Sequence, residues 1–176
     1  MRDLKADLES TDVETVYDAL IRAGKTHRRE LRPRVEAFLT TSDPGLREAA
    51  LKVVAFYWRL PEHRDTARRA LGEDADPDVR AAAAMALGGY ADGADELQLL
   101  LDVALDAREE ESVRDAAYSS ALIIAGVSKV EYPMERTLPG FEERADWPLL
   151  ARLVRAFGAA VPERLDELAQ RHTRSR

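Results

Sequence analysis

The sequence predicts an all-α fold of stacked antiparallel helix pairs, and three observations carry that expectation. A short motif returns at a spacing of 33 residues, each return opens with residues that start helices, and the apolar residues that follow fall at helical intervals. No alternating β-rich run interrupts them. With 176 residues, 45% of them hydrophobic and 34% charged, the chain can bury a core, and it is expected to form a single domain over 1–176. Its apolar residues are dispersed rather than run together, which excludes a disordered tail and a membrane protein. The absence of Cys excludes disulfide frameworks, thiolate zinc sites and cysteine nucleophiles. The N-terminal MRDLKADLES has no secretory apolar stretch, so the expected compartment is the cytoplasm.

Taken in order, Asp12 caps a first helix whose stripe is Val13, Val16, Tyr17, Leu20 and Ile21. Gly24-Lys25-Thr26 reads as a turn between helices, because a phosphate loop requires glycine where the chain has Ala19. A second helix follows on Leu31, Val35, Phe38 and Leu39, with Pro33 expected to kink or shorten it. The repeat is plainest in Ser42-Asp43-Pro44-Gly45-Leu46-Arg47-Glu48-Ala49-Ala50, which returns as Ala75-Asp76-Pro77-Asp78-Val79-Arg80-Ala81-Ala82-Ala83. Asp43 and Asp76 are N-caps, and Pro44 and Pro77 take the first helical position, where a missing N–H costs nothing. Ser112-Val113-Arg114-Asp115-Ala116-Ala117 makes a third copy, with Ser112 as its expected cap. The stripes that follow are Ala49, Ala50, Val53, Val54; Ala82, Ala83, Ala86, Leu87; and Ala116, Ala117, Ser120, Ala121. Second helices lie between them on Ala67, Ala70, Leu71 and on Leu97, Leu100, Leu101, Ala104. Tyr57, Tyr90 and Ile124 occupy equivalent places, as a stacked core column. In the run Phe56-Tyr57-Trp58 one ring must leave an α-helical stripe, and Trp58 is the expected partner contact.

The pattern breaks over an irregular segment, 127–145. Pro133 and the Pro139-Gly140 turn signal forbid a continuous helix there, and Tyr132, Met134, Leu138 and Phe141 either recognise a partner or fold back as a cap. C-terminal helices are expected over 146–170, the first capped by Asp146 and carrying Pro148, Leu149, Leu150, Leu153, Val154 and Phe157.

Asp76-Pro77-Asp78-Val79-Arg80 followed by Ala82, Ala83, Leu87 and Gly88, together with Asp43-Pro44-Gly45-Leu46-Arg47, resembles the HEAT-repeat family, in particular its short bacterial HEAT-like variety. The resemblance is strongest over 42–126. It implies a right-handed α-solenoid of about four to five repeats, with second helices lining a concave, protein-binding surface. It also implies an internal ladder of Arg47, Arg80 and Arg114 with Asp43 and Asp76.

If the second helices line such a groove, the faces opposite their apolar stripes supply its candidate partner-binding residues. These are Arg29, Arg32 and Glu36; then Glu62, Asp65 and Arg69; then Asp95, Gln98, Asp102 and Asp106, a progression from basic through mixed to acidic. The net charge of −7 is uneven in the same way, because residues 73–112 hold 12 Asp and Glu against 2 Lys and Arg. An acidic chain disfavours nucleic acid and attracts a basic protein, although Lys25, His27, Arg28, Arg29, Arg32 and Arg34 form one local basic cluster. The expected function is therefore a non-enzymatic protein-binding module, in its concrete form an inhibitor or immunity-type protein that blocks a basic enzyme such as a nuclease toxin. A scaffold or assembly factor fits the same residues, and HEAT-like bilin lyases and DNA glycosylases are the enzymatic alternatives. No metal or cofactor is expected. His27, His63 and His172 lie far apart, and the Asp74, Asp76, Asp78 run has Val79 where a calcium loop requires glycine.

Overall fold

The computed structural model describes residues 3–90, 93–127 and 140–174. Among these the chain is helical, with no strand. It divides into two compact units, 1–90 and 91–176.

In the first unit, α1 (Leu4–Asp7) precedes α2 (Val13–Lys25), whose cap Asp12 accepts from the Thr15 backbone N–H at 2.9 Å. A 3-10 turn (Arg29–Leu31) leads into α3 (Arg32–Ala37). Pro33 lies in the first turn of α3, where it removes no helical hydrogen bond, and the second helix is accordingly short. Next come α4 (Pro44–Leu51), a π-helical turn (Lys52–Tyr57), α5 (Arg64–Glu73) and α6 (Pro77–Leu87). Asp43 accepts from the Leu46 N–H and Asp76 from the Asp78 and Val79 N–H groups, each such cap contributing about 1 kcal/mol. α2 packs on α4 and the π turn, α4 on α6, and α5 on α6. The small stripe residues Ala49, Ala50, Ala82, Ala83 and Ala86 are fully buried between them.

Three expectations are corrected here. In α2 the buried stripe is Val16, Ala19, Leu20, Ala23 and Gly24, while Val13 is 49% exposed and Tyr17 and Ile21 are half-buried. The smaller residues face inward because the helix approaches its neighbour closely. A Cβ on Gly24 would lie 2.6 Å from Tyr57 Cδ2, so Gly24 serves helix contact, and the left-handed residue after α2 is His27, at φ 53°.

The second correction is Trp58, which is 2% exposed and is no partner contact. Its backbone N–H donates to the Val53 carbonyl at 2.9 Å, an i→i−5 bond. One extra residue in that turn slips the sequence by about 100°, so Trp58 takes the inward place that an unbroken α-helix would give Tyr57. Tyr57 is consequently half-buried; of the other two residues expected in a core column, Tyr90 is half-buried and Ile124 is buried.

The third is the arginine ladder. Arg47 makes a two-pronged pair with Asp74 at 3.0 and 2.8 Å and donates to the Thr41 and Ser42 carbonyls. Arg80 donates to the Asp74 and Ala75 carbonyls, the same positions one repeat later. Asp43 and Asp76 hold their own helix starts, so the arginines read the turns instead.

In the second unit, α7 (Ala94–Leu105) pairs with α8 (Glu111–Ile124). Ser112 lies inside α8 and does not cap it; the cap position is Glu110, which makes no side-chain bond. α9 (Phe141–Arg144) precedes α10 (Trp147–Phe157), capped by Asp146 on the Leu149 N–H and closed by left-handed Gly158, and then α11 (Glu163–Arg174). Phe141, Trp147 and Tyr118 meet edge to face at 5.3–5.7 Å. Arg114 lies over the Phe141 ring at 5.0 Å and bonds Glu142 and the Ala104 carbonyl. Phe141 therefore belongs to the core of this unit. Tyr132, Met134 and Leu138 lie outside the described residues.

Candidate functional site

The basic residues singled out in the first unit are largely satisfied within the chain. Arg32 pairs with Glu36 and Glu62, each at 2.6 Å, and His63 Nε2 is 2.8 Å from Glu36. Burial works against ionisation of Glu36, but hydrogen bonds from His63 and Arg32 outweigh it and hold the carboxyl below its ordinary range. Arg34 pairs with Glu9 at 2.8 Å, Arg28 with Glu30, and Arg29 donates to the Trp58 carbonyl at 3.0 Å. The four arginines of the basic cluster are thus tied up by carboxylates and a carbonyl of the chain itself, which lowers what they offer to a phosphate backbone. Asp65 and Arg69 are exposed on α5, Asp65 with Arg68 at 3.8 Å.

The acidic candidates in the second unit differ. The apolar spacing of α7 buries Leu97, Leu100, Leu101 and Ala104 completely, which turns Asp95, Gln98 and Asp102 outward. Asp95 forms no ion pair with any described residue, and Asp102 accepts only from Gln98 at 2.8 Å. Two helical turns, about 10 Å, separate the two carboxylates along the axis. Asp106 is at the end of the helix and is gripped by Arg108 through two bonds of 2.9 Å, which holds its carboxyl down at about 2. Arg108 thereby offsets the charge of Asp106, so the open negative charge of this face belongs to Asp95 and Asp102. Glu96 is fully buried and contributes nothing to the exposed surface.

Sequence reasoning missed one feature. Tyr17, Ile21 and Lys25 of α2, Lys52, Phe56 and Tyr57 of the π turn, and Met85 of α6 line a cavity of about 380 Å³. Tyr17 donates to Glu48 at 3.1 Å, Glu48 also pairs with Lys52, and burial pushes the Tyr17 hydroxyl up. The cavity exists because the π turn re-aims Phe56 and Tyr57, and no residue pattern in this stretch announces such a turn.

Among the described residues no group of three or more His, Asp or Glu is placed to hold a metal ion, and no helix is long and apolar enough to cross a membrane. What the arrangement offers is charge and shape recognition.

Helix pairs stitched by capping aspartates and repeat-spaced arginines define a helical-repeat protein. A family model described as HEAT repeats matches residues 31–121, and the chain belongs to the HEAT-repeat family. No curated protein and no solved structure matches it significantly. HEAT repeats form solenoids, generally mediate protein–protein interaction and are typically non-catalytic.

Proposed function

We propose that this protein binds one protein partner through the exposed faces of its second helices, and that the acidic face of α7 selects a basic partner. The observation that carries this reading is the contrast between the two sets of charges. Arg28, Arg32 and Arg34 are matched by Glu30, Glu36, Glu62 and Glu9, whereas Asp95 and Asp102 stand exposed and unmatched by any cation among the described residues. Unmatched like charges on a rigid helix raise the encounter rate with an oppositely charged surface and set its orientation. In its specific form, the protein blocks the working surface of a basic enzyme by occupying it.

The test is affinity capture from lysate of the source cell at low and high salt, with Asp95, Asp102 and Asp106 all changed to Asn in a second bait. The reading expects one basic protein on the wild-type bait, lost at high salt and absent from the variant. Retention of the same protein by both baits would refute it.

A further inference from the structure

The outward face of α2 carries apolar side chains that are left partly exposed among the described residues. Val13 is 49% exposed, Tyr17 and Ile21 are half-buried one and two turns further on, and Met85 of α6 is 41% exposed beside them. Large apolar groups clustered beside a cavity mark an interaction surface more than solitary ones do. The cavity lies at the Lys25 end of α2, and the protruding Val13 lies at the other end, outside it. The charges divide along the same axis. Glu14 and Asp18 are exposed in the first half of the helix and Lys25 in the second, and none of the three has an ion-pair partner among the described residues.

We infer that this face binds a second copy of the chain, with the two α2 helices antiparallel about a two-fold axis at the level of Ala19. A two-fold contact requires a surface complementary to itself, in which residue i meets j and j meets i. Val13 and Lys25 are equidistant from Ala19, as are Tyr17 and Ile21. Reversing one copy therefore sets Val13 of the second copy against the cavity between Lys25, Phe56 and Met85, and Tyr17 against Ile21. It also brings Glu14 of the second copy to Lys25, and each contact occurs twice. The i, i+4 row runs oblique to the helix axis, so the two helices cross at about 50°, as interdigitating rows of this kind do. The aliphatic stem of Lys25 covers the valine while its ammonium reaches the carboxylate. This surface shares no residue with the acidic face of α7, so the dimer is tested independently of partner capture.

Analytical ultracentrifugation of the full chain over a concentration series tests the inference. The wild type is expected to show a concentration-dependent dimer. Val13→Arg is expected to weaken it about a hundredfold, because it carries a guanidinium into each of two cavities already lined by Lys25 and Lys52. Glu14→Lys is expected to weaken it about tenfold, since two pairs are broken at once, and adding Lys25→Glu should restore it. All three positions are exposed, so far-UV circular dichroism and thermal midpoints serve as folding controls. The natural lack of cysteine permits a second measurement, in which Val13→Cys and Lys25→Cys chains are mixed and oxidised. A mixed disulfide dimer in preference to either homodimer is expected. A wild type that stays monomeric, a dimer indifferent to Val13→Arg, or crosslinking without preference for the mixed pair would overturn the inference.

Discussion

Replacing Arg47 with Met while leaving Asp74 in place should destabilise the first unit by about 2–3 kcal/mol. The guanidinium makes two charge-assisted bonds to Asp74 and one to each of two turn carbonyls, and the two side chains are only 19% and 14% exposed. Bonds to charged groups in such settings contribute about 1.5–3 kcal/mol net, and removing one partner strands the other. The Met stem preserves most of the packing, so the loss reports the polar contacts. The measurement is urea unfolding of wild type, Arg47→Met, Asp74→Asn and the double variant, with a coupling of about 1–2 kcal/mol expected from the cycle. The pair also carries a pH signature. The Arg47 hydrogen bonds hold Asp74 below its ordinary value of 3.8, against the opposing effect of burial. A carboxyl lowered in the folded state stabilises fully above its unfolded value, and that contribution is lost as pH falls through the lower folded one. The gap in stability between wild type and Arg47→Met should therefore narrow in acid below 3.8, down to the share of the Thr41 and Ser42 carbonyl bonds, which do not titrate. A coupling near zero, or a gap as wide in strong acid as at neutral pH, would refute the claim that this pair ties α4 to the end of α5.

Three further outcomes follow from the packing. Gly24→Ala gains about 1 kcal/mol of helix propensity but drives a methyl to 2.6 Å from the Tyr57 ring, a clash costing about 1–3 kcal/mol; chemical denaturation should find the variant no more stable than wild type, and a clear gain would contradict the close approach. Tyr90 donates to the Leu60 carbonyl at 2.8 Å, and burial pushes its hydroxyl up to about 12. Its contribution is therefore complete below the ordinary value of 10 and declines as pH rises toward 12, so Tyr90→Phe should lose about 1 kcal/mol near neutrality and show a shallower alkaline decline in pH-dependent unfolding. Trp58 and Trp147, the two tryptophans of the chain, are both buried, so native emission should be blue-shifted and protected from iodide; strong quenching in a Trp147→Phe variant would place Trp58 at the surface after all.

The repeat, its capping aspartates and the small-residue stripes of α4 and α6 were legible because each is written locally. Asp-Pro starts a helix wherever it stands, and a 3.6-residue period reports burial while the helix remains α. Legibility failed where that period failed. The π turn at Lys52–Tyr57 moved Trp58 inward and Tyr57 outward, and it is set by packing rather than by any residue type in the run. In α2 periodicity alone points the most apolar stripe at the core, yet the close approach of α4 and the π turn favours Ala19, Ala23 and Gly24 there and leaves Val13 exposed and Tyr17 and Ile21 half-buried. The acidic face of α7 followed directly from its leucine spacing. The Arg32–Glu36 pair, at i,i+4 within α3, is a single-helix pattern, but the neutralising of Asp106 by Arg108, and of Arg34, Arg28 and Arg32 by Glu9, Glu30 and Glu62, depended on turns and on contacts between elements that no such pattern records.

Electrostatic capture through Asp95 and Asp102 should be visible in the salt dependence of association with the captured partner. Stopped-flow association rates across a range of ionic strength should fall steeply for the wild type. The Asp95→Asn, Asp102→Asn variant should start slower and show a much flatter dependence. Equal rates and equal salt slopes for the two proteins would contradict the account.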